Sequence, residues 1–222
     1  MSHPNWQLPP AVYAAVYGDD LVLLDTARDA YFCLPDAGAG LRLEFAGHAL
    51  EGLDPDLIAE LAAMDLLRAG EAPTRAPLSV AAPILDLMSG SLPKTDWTEA
   101  ADFAGALAAM TWTYYRRPFA RLLASALARR GRLGARDAPA SAILERRALA
   151  YRALLPWSPV QGACLFQAFL LLEFLGQAGL AADWVFGVRT WPFSAHCWLQ
   201  AGPLVLNDSV ERVSAYRPIL VV

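Results

Sequence analysis

Cysteine is scarce in this chain of 222 residues. Only Cys33, Cys164 and Cys197 are present, an odd number and too few for a disulfide framework, so a reducing, cytoplasmic setting is expected. Long apolar runs are missing as well. Hydrophobic residues make up 56% of the chain, yet the longest candidate run, 163–175, is interrupted by Gln167 and Glu173, and no membrane span is expected. The opening MSHPNWQLPP has neither a basic start nor an apolar stretch and does not read as a signal peptide. No Gly-rich phosphate loop is present, so nothing implies an organic cofactor. His3 and His48 have no ligand spacing with the cysteines, and a metal site is not expected.

Charge is unevenly spread. The net charge is −4, but residues 1–94 carry 5 basic and 13 acidic side chains, against 13 and 9 in residues 95–222. Ten of the 18 basic residues fall between Arg116 and Arg152. This density reads first as the solvated face of amphipathic helices, and second as a docking surface for a partner, Arg129 and Arg130 included.

Composition shifts over residues 73–94, where Pro73, Pro77, Pro83 and Pro93 interrupt any regular pattern; this predicts a linker between two domains, 1–72 and 95–222. Before it, Val12–Tyr17, 21–25 and Ala30–Leu34 read as a three-stranded meander, with turns at Gly18-Asp19 and 26–29. Helical patterns follow at 37–45 and 55–69. The second has Asp54 as N-cap, Pro55 at its first position and Gly70 just past its end, with Leu57, Ile58, Leu61, Met64 and Leu67 as its buried stripe. Three strands and then helices suit a small winged-helix module. Its acidic balance argues against nucleic acid and favours a peptide ligand.

After the linker, Asp96 and Glu99 have capping-box spacing, and further helices are expected from Pro118 to Gly131 and from near Pro139 to before Pro156. An apolar helix over 161–179 carries Cys164 in its first turn. Short strands are then expected at 183–188, 196–201 and 204–208, giving an α+β domain. A thiol at a helix N-terminus is where the dipole favours thiolate. His196 can take its proton, and Asp208 can orient the histidine. Side chains alternate along a strand, so His196, Trp198 and Gln200 share one face, and Cys197, on the other, reads as a small buried hydrophobe. A three-residue loop at 201–203 would set Gln200 opposite Leu204 and His196 opposite Asp208, with Cβ atoms ~5 Å apart. Taken singly, each of the three has an ordinary structural reading: a buried thiol, a half-buried histidine, a turn aspartate. In order and on one face, they favour a catalytic triad. Backbone N–H groups at the start of the cysteine helix are the natural oxyanion donors. Gln161 adds a side-chain donor in the papain manner, or is a solvated residue of the helix N-terminus. Cys33 reads as core.

The runs CLFQAFLLLEFLGQAGLAADWVFGVRT and FSAHCWLQAGPLVLNDS resemble the transglutaminase-like, papain-like leader peptidases of lasso peptide biosynthesis, the B proteins. Cys164, Ala195-His196-x-Trp198 and Asn207-Asp208 match that family's pattern. Cys197 stands where alanine is usual, on what is expected to be the far face. DLVLLDTARDAYFCL resembles the small precursor-recognition domain related to the PQQ-biosynthesis D protein. Here the segment before residue 55 is short for that module's usual three helices.

The resemblance implies a cysteine peptidase that binds the leader of a ribosomal precursor and cuts it from the core. The leader would add as a strand along Tyr31, Phe32 and Cys33, with the 55–69 helix as the second wall. Trp191, Phe193 and Trp198 would line the substrate cleft. The partner implied is an ATP-dependent, asparagine-synthetase-like lasso cyclase, which closes the macrolactam on the freed amine; no membrane partner is implied. Two other classes remain open at this stage: a transglutaminase-type acyl transferase, and a non-catalytic chaperone that presents the precursor.

Overall fold

The computed structural model describes residues 6–43, 50–70, 79–116, 118–133, 142–158 and 163–222. The chain divides into two units. One comprises Met1–Ser79, Val188–Ala195 and Arg217–Leu220; the other comprises Val80–Gly187, His196–Tyr216 and Val221–Val222.

In the first unit, a short strand β1 (Trp6–Gln7) precedes the meander β2 (Val12–Tyr17), β3 (Asp20–Asp25) and β4 (Ala30–Leu34). Gly18, at φ 58°, makes the first turn. Asp25 makes the second by accepting from the N–H groups of Ala27 and Arg28 at 2.8 and 3.1 Å. β3 is central, in the order β2-β3-β4, and Leu21, Val22, Leu23 and Leu24 are all fully buried. Burial on both faces is why this strand reads as an unbroken apolar run. Leu21 and Leu23 join Leu61, Leu66 and Leu67 in the core, with Phe32 and Leu34 packed against it. On the opposite face, Tyr31 meets the ring of Phe193, centroids 5.8 Å apart.

The helix expected at 37–45 is absent from its described part. Residues 35–40 are turns, and β5 (Arg42–Leu43) pairs with β6 (Leu50–Glu51). The next helix, α1 (Pro55–Ala63), starts as expected, with the Asp54 side chain accepting from Asp56 N–H at 2.8 Å. It ends earlier than expected. Asp65 takes the left-handed conformation at φ 58°, the N–H groups of Leu66 and Leu67 turn back to the Leu61 carbonyl, and Met64 is 39% exposed rather than in the buried stripe. The chain then forms β7 (Arg68–Ala69), paired with β1.

The expected linker contains structure. β8 (Leu85–Asp86) lies parallel to β11 (Leu204–Val205) in a five-stranded sheet ordered β12-β9-β10-β11-β8, where β9 is Asp183–Arg189, β10 is Ser194–Ala201 and β12 is Arg217–Val221. Three helices precede the cysteine helix: α2 (Trp97–Arg116), α3 (Phe119–Leu133) and α4 (Ala142–Leu154), the last followed by a 3-10 turn, Leu155–Trp157. Asp96 and Glu99 form the reciprocal capping box, at 2.8 and 3.1 Å. The cysteine helix, α5 (Cys164–Gln177), packs on α2 and α4 and buries nearly its whole circumference, Phe166 to Leu175. A helix that is apolar all round belongs in the interior. Its Phe169 stacks on Trp184 of β9 at 5.4 Å. A short helix, α6 (Val210–Val213), links β11 to β12.

The arginine-rich stretch is not simply a solvated face. Arg129 grips both Glu173 oxygens, at 2.5 and 2.6 Å, Arg130 pairs with Asp183 at 2.7 Å, and Arg146 pairs with Glu99. Arg147 pairs with Asp102 at 2.5 Å while lying 3.8 Å over the Phe174 ring. Arg152 donates to the carbonyls of Leu87 and Met88. These guanidinium groups fasten helices α3 and α4 to their neighbours. No helix among the described residues is long and apolar enough to cross a membrane.

Arg129→Glu sets a like charge against the largely buried Glu173. It is expected to lower the thermal midpoint by several degrees, a loss of at least about 1.5 kcal/mol; an unchanged melting curve would show that the pair contributes nothing.

Candidate active site

Cys164 is the first residue of α5. Ala163, the N-cap, supplies no side-chain cap, and the positive end of the helix dipole lies at Cys164. The site is completed by β10 and by the chain that follows β11. The β10–β11 loop differs from the expected one. It has two residues, Gly202 (φ 55°) and Pro203, and pairs Ala201 with Leu204 and Gln200 with Val205. Continued as a strand, this register would set Asp208 opposite Cys197 rather than His196. The strand does not continue. Leu206 N–H still reaches the Leu199 carbonyl at 2.9 Å, but Leu199 N–H is taken by the Asn207 side-chain oxygen at 2.8 Å. With a side chain replacing the main-chain acceptor, Asn207 and Asp208 leave the ladder. Asp208 is then free to reach His196, Nε2 to Oδ2 at 2.5 Å.

Nε2 being engaged, Nδ1 is the ring nitrogen left for Cys164, with which His196 shares a side-chain hydrogen bond. The imidazole is flanked by Trp198 (centroids 6.1 Å, planes 25° apart) and Tyr216 (5.3 Å, 42°). Gly187 makes room for both: a Cβ there would stand 2.8 Å from Tyr216 Cβ and 2.9 Å from the Trp198 ring. Asp208 also accepts from Ser209 N–H at 2.8 Å and lies 3.8 Å from Arg212.

Electrostatics follow from these contacts. The Cys164 thiol is lowered to about 4, first by a hydrogen bond from the Cys197 thiol, then, against the cost of burial, by His196 and by Cys197 N–H. For His196, burial alone would lower the value; the hydrogen bonds with Asp208 and Cys164 outweigh it and raise it to about 9. Asp208 is held below the ordinary carboxylate range: burial works against this, and the bond to His196 prevails. Between about 4 and about 9, the pair is thiolate and imidazolium, the state that attacks a carbonyl and then protonates a leaving amine.

The structure thus brings Cys164, His196 and Asp208 together. It corrects one other expectation. Trp198 is 2% exposed and donates to the buried Gln200 side chain at 3.0 Å, so it supports the histidine from the core and does not face a cleft. Cys197 is 3% exposed, the small buried residue expected of it. Nothing in the sequence marked Tyr216.

Trp191 and Phe193 are 77% and 45% exposed, in the unit that also holds Tyr31, Phe32 and Cys33. Trp191 Nε1 donates to Asp20 at 2.9 Å, and Phe32 packs into the meander's core. Gln161 lies outside the described residues. No group of three metal-ligating side chains occurs among the described residues.

A model of one protein family, described as the transglutaminase-like superfamily, matches residues 106–221, more than half the chain and inclusive of all three site residues. No curated protein and no solved structure matches.

The activity profile is expected to rise as pH passes about 4 and fall as it passes about 9, where the imidazolium loses the proton needed by the leaving amine. Asp208→Asn removes the carboxylate that stabilises the imidazolium, so the basic limb should move to lower pH. A basic limb left in place would separate Asp208 from the histidine's function.

Proposed function

Because the chain belongs to the transglutaminase-like superfamily, whose chemistry is compatible with a cysteine peptidase or an acyl transferase, we propose that it is a cytoplasmic cysteine endopeptidase. It binds the leader of a ribosomally made lasso peptide precursor and cuts leader from core. The observation that carries this reading is the Cys164–His196–Asp208 constellation at the N-terminus of α5.

The Cys164 thiolate attacks the scissile carbonyl carbon, forming the S–C bond, while main-chain N–H at the start of α5 stabilises the oxyanion. As the C–N bond breaks, the proton on His196 Nδ1 passes to the leaving amine. Water then attacks the thioester, His196 takes its proton, and the leader leaves with a new carboxylate as the thiolate is regenerated. Asp208 holds the imidazole by Nε2 throughout. The freed core amine is the nucleophile that an ATP-dependent, asparagine-synthetase-like cyclase would join into a macrolactam.

The N-terminal unit is the precursor-recognition module in this reading. β4, which carries Tyr31, Phe32 and Cys33, is an edge strand of its sheet, and an extended leader added there would gain main-chain hydrogen bonds. Joining recognition and cleavage in one chain raises the effective concentration of the bound precursor. Trp191 and Phe193 are exposed aromatics in that same unit and are assigned to precursor contact.

The test is mass spectrometry of a candidate lasso precursor from the gene neighbourhood, incubated with wild type and with Cys164→Ala, with and without the cyclase. Wild type should release intact leader, and the variant should lose activity by a factor on the order of 10⁴ or more. A cross-linked product in place of two fragments would establish acyl transfer. A precursor bound but left whole by both proteins would leave a presenting chaperone.

A further inference from the structure

Asp208 reaches His196 from a turn, not from a strand, so whatever holds that turn aims the carboxylate. Its near end is held by Asn207, whose side-chain oxygen accepts from Leu199 N–H at 2.8 Å. Its far end is the start of α6. There the N-cap, Ser209, accepts from Arg212 N–H at 3.2 Å. A cap of this kind serves the third N–H of a helix and cannot also serve the first. That first N–H, of Val210, goes instead to Asp86 Oδ2 at 2.9 Å. Asp86 stands on β8, 124 residues earlier, in the stretch whose prolines read as a linker. It is well anchored there. Val205 of β11 lies opposite it, and the N–H groups of Ile84 and Leu85 donate to the Pro203 carbonyl at 2.9 and 3.2 Å. Arg152 holds the carbonyls of Leu87 and Met88. The second Asp86 oxygen accepts from Met88 N–H at 2.9 Å, which fixes the rotation of the carboxylate.

We propose that Asp86 is a positioning residue for this site: by holding Val210 N–H it fixes the far end of the turn and aims Asp208 at His196 Nε2. The inference deepens the cysteine-peptidase reading and rests on Asp208 being the carboxylate that orients its histidine. Only Asp208 and Ser209 lie between the two anchors, Asn207 and Val210. A shift at Val210 is therefore passed to Asp208 with little chain to absorb it. The Nε2–Oδ2 contact is short, at 2.5 Å, and a charge-assisted bond of that kind loses strength quickly when its geometry is disturbed. Asp208 also has a rival partner. Arg212 of α6 stands 3.8 Å from the same oxygen, with its own side chain 60% exposed. The Asp86 bond sets the start of α6 where the carboxylate serves the histidine, and Arg212 stays the more distant of the two.

The test is the imidazole titration of His196 in the full-length protein, followed by NMR. The chain has three histidines, His3, His48 and His196, and the signal is assigned by its loss in His196→Gln. No precursor is used, so the outcome is independent of whether leader cleavage is found. The bond is cut from each side. Asp86→Ala removes the acceptor. Val210→Pro removes the donor and leaves the Asp86 charge in place. Proline suits the first helical position, and Ser209 before it is already extended, at φ −91° and ψ 147°. A loosened Asp208 stabilises the imidazolium less, so the midpoint, which stands at about 9, should fall in both variants. The expected fall is about one pH unit, and the double variant should add little to it. A role confined to stability would lower the thermal midpoint and leave the titration where it is. An unmoved titration in a folded variant overturns the proposal. So does a shift in Asp86→Ala that Val210→Pro does not share, because the charge of Asp86 and not its bond would then be acting. If one variant fails to fold by circular dichroism, the other is read alone on the same terms.

Discussion

The site depends on a rung that β10 does not form with β11. After Leu199 the ladder stops, because the Asn207 side chain takes the N–H that a main-chain carbonyl would otherwise receive. The chain beyond Asn207 escapes the two-residue alternation of a strand, so Asp208 can turn to His196.

A thiolate and an imidazolium in a partly buried site need each other. Either alone would be costly there, and each shifts the other toward its charged form. The aromatic groups around His196 keep its ring fixed while Asp208 determines which nitrogen is free. The arginines of α3 and α4 act at a distance from this chemistry. Their charges are largely committed to Glu173, Asp183, Glu99 and Asp102, which secures the helices around α5 and so the position of its N-terminus. That commitment weakens the case for Arg129 and Arg130 as a docking surface.

Local chemistry was legible in the sequence. The meander, the Asp54 cap and the Asp96–Glu99 capping box each rest on residues within a few positions of one another, and the structure has all of them. So was the succession of Cys164, His196 and Asp208, although β11 ends at Val205 and Asp208 stands beyond the strand it was expected to close. What was not legible depends on competition between local and distant partners. Gly70 looked like the end of α1, but Asp65 adopted the left-handed turn first, because Leu66 and Leu67 gain burial by turning back there. The expected three-residue loop did bring His196 to Asp208 on paper, but for the wrong reason: a side chain standing in for a main-chain acceptor cannot be read from alternation.

The hairpin that delivers the histidine has its own support. Its loop residues Thr190 and Trp191 both hydrogen-bond to Asp20, and Phe193 rests on Tyr31, all within the N-terminal unit. Asp20 and Tyr31 belong to the meander, on β3 and β4. The segment Val188–Ala195 therefore packs with the meander, and His196 is the next residue of the same strand. Removing the first 79 residues would strip that loop of its partners and leave the start of β10 unsupported immediately before the histidine. The first two residues of β10, Ser194 and Ala195, thus belong to the N-terminal unit's own packing, and the strand enters the site from there.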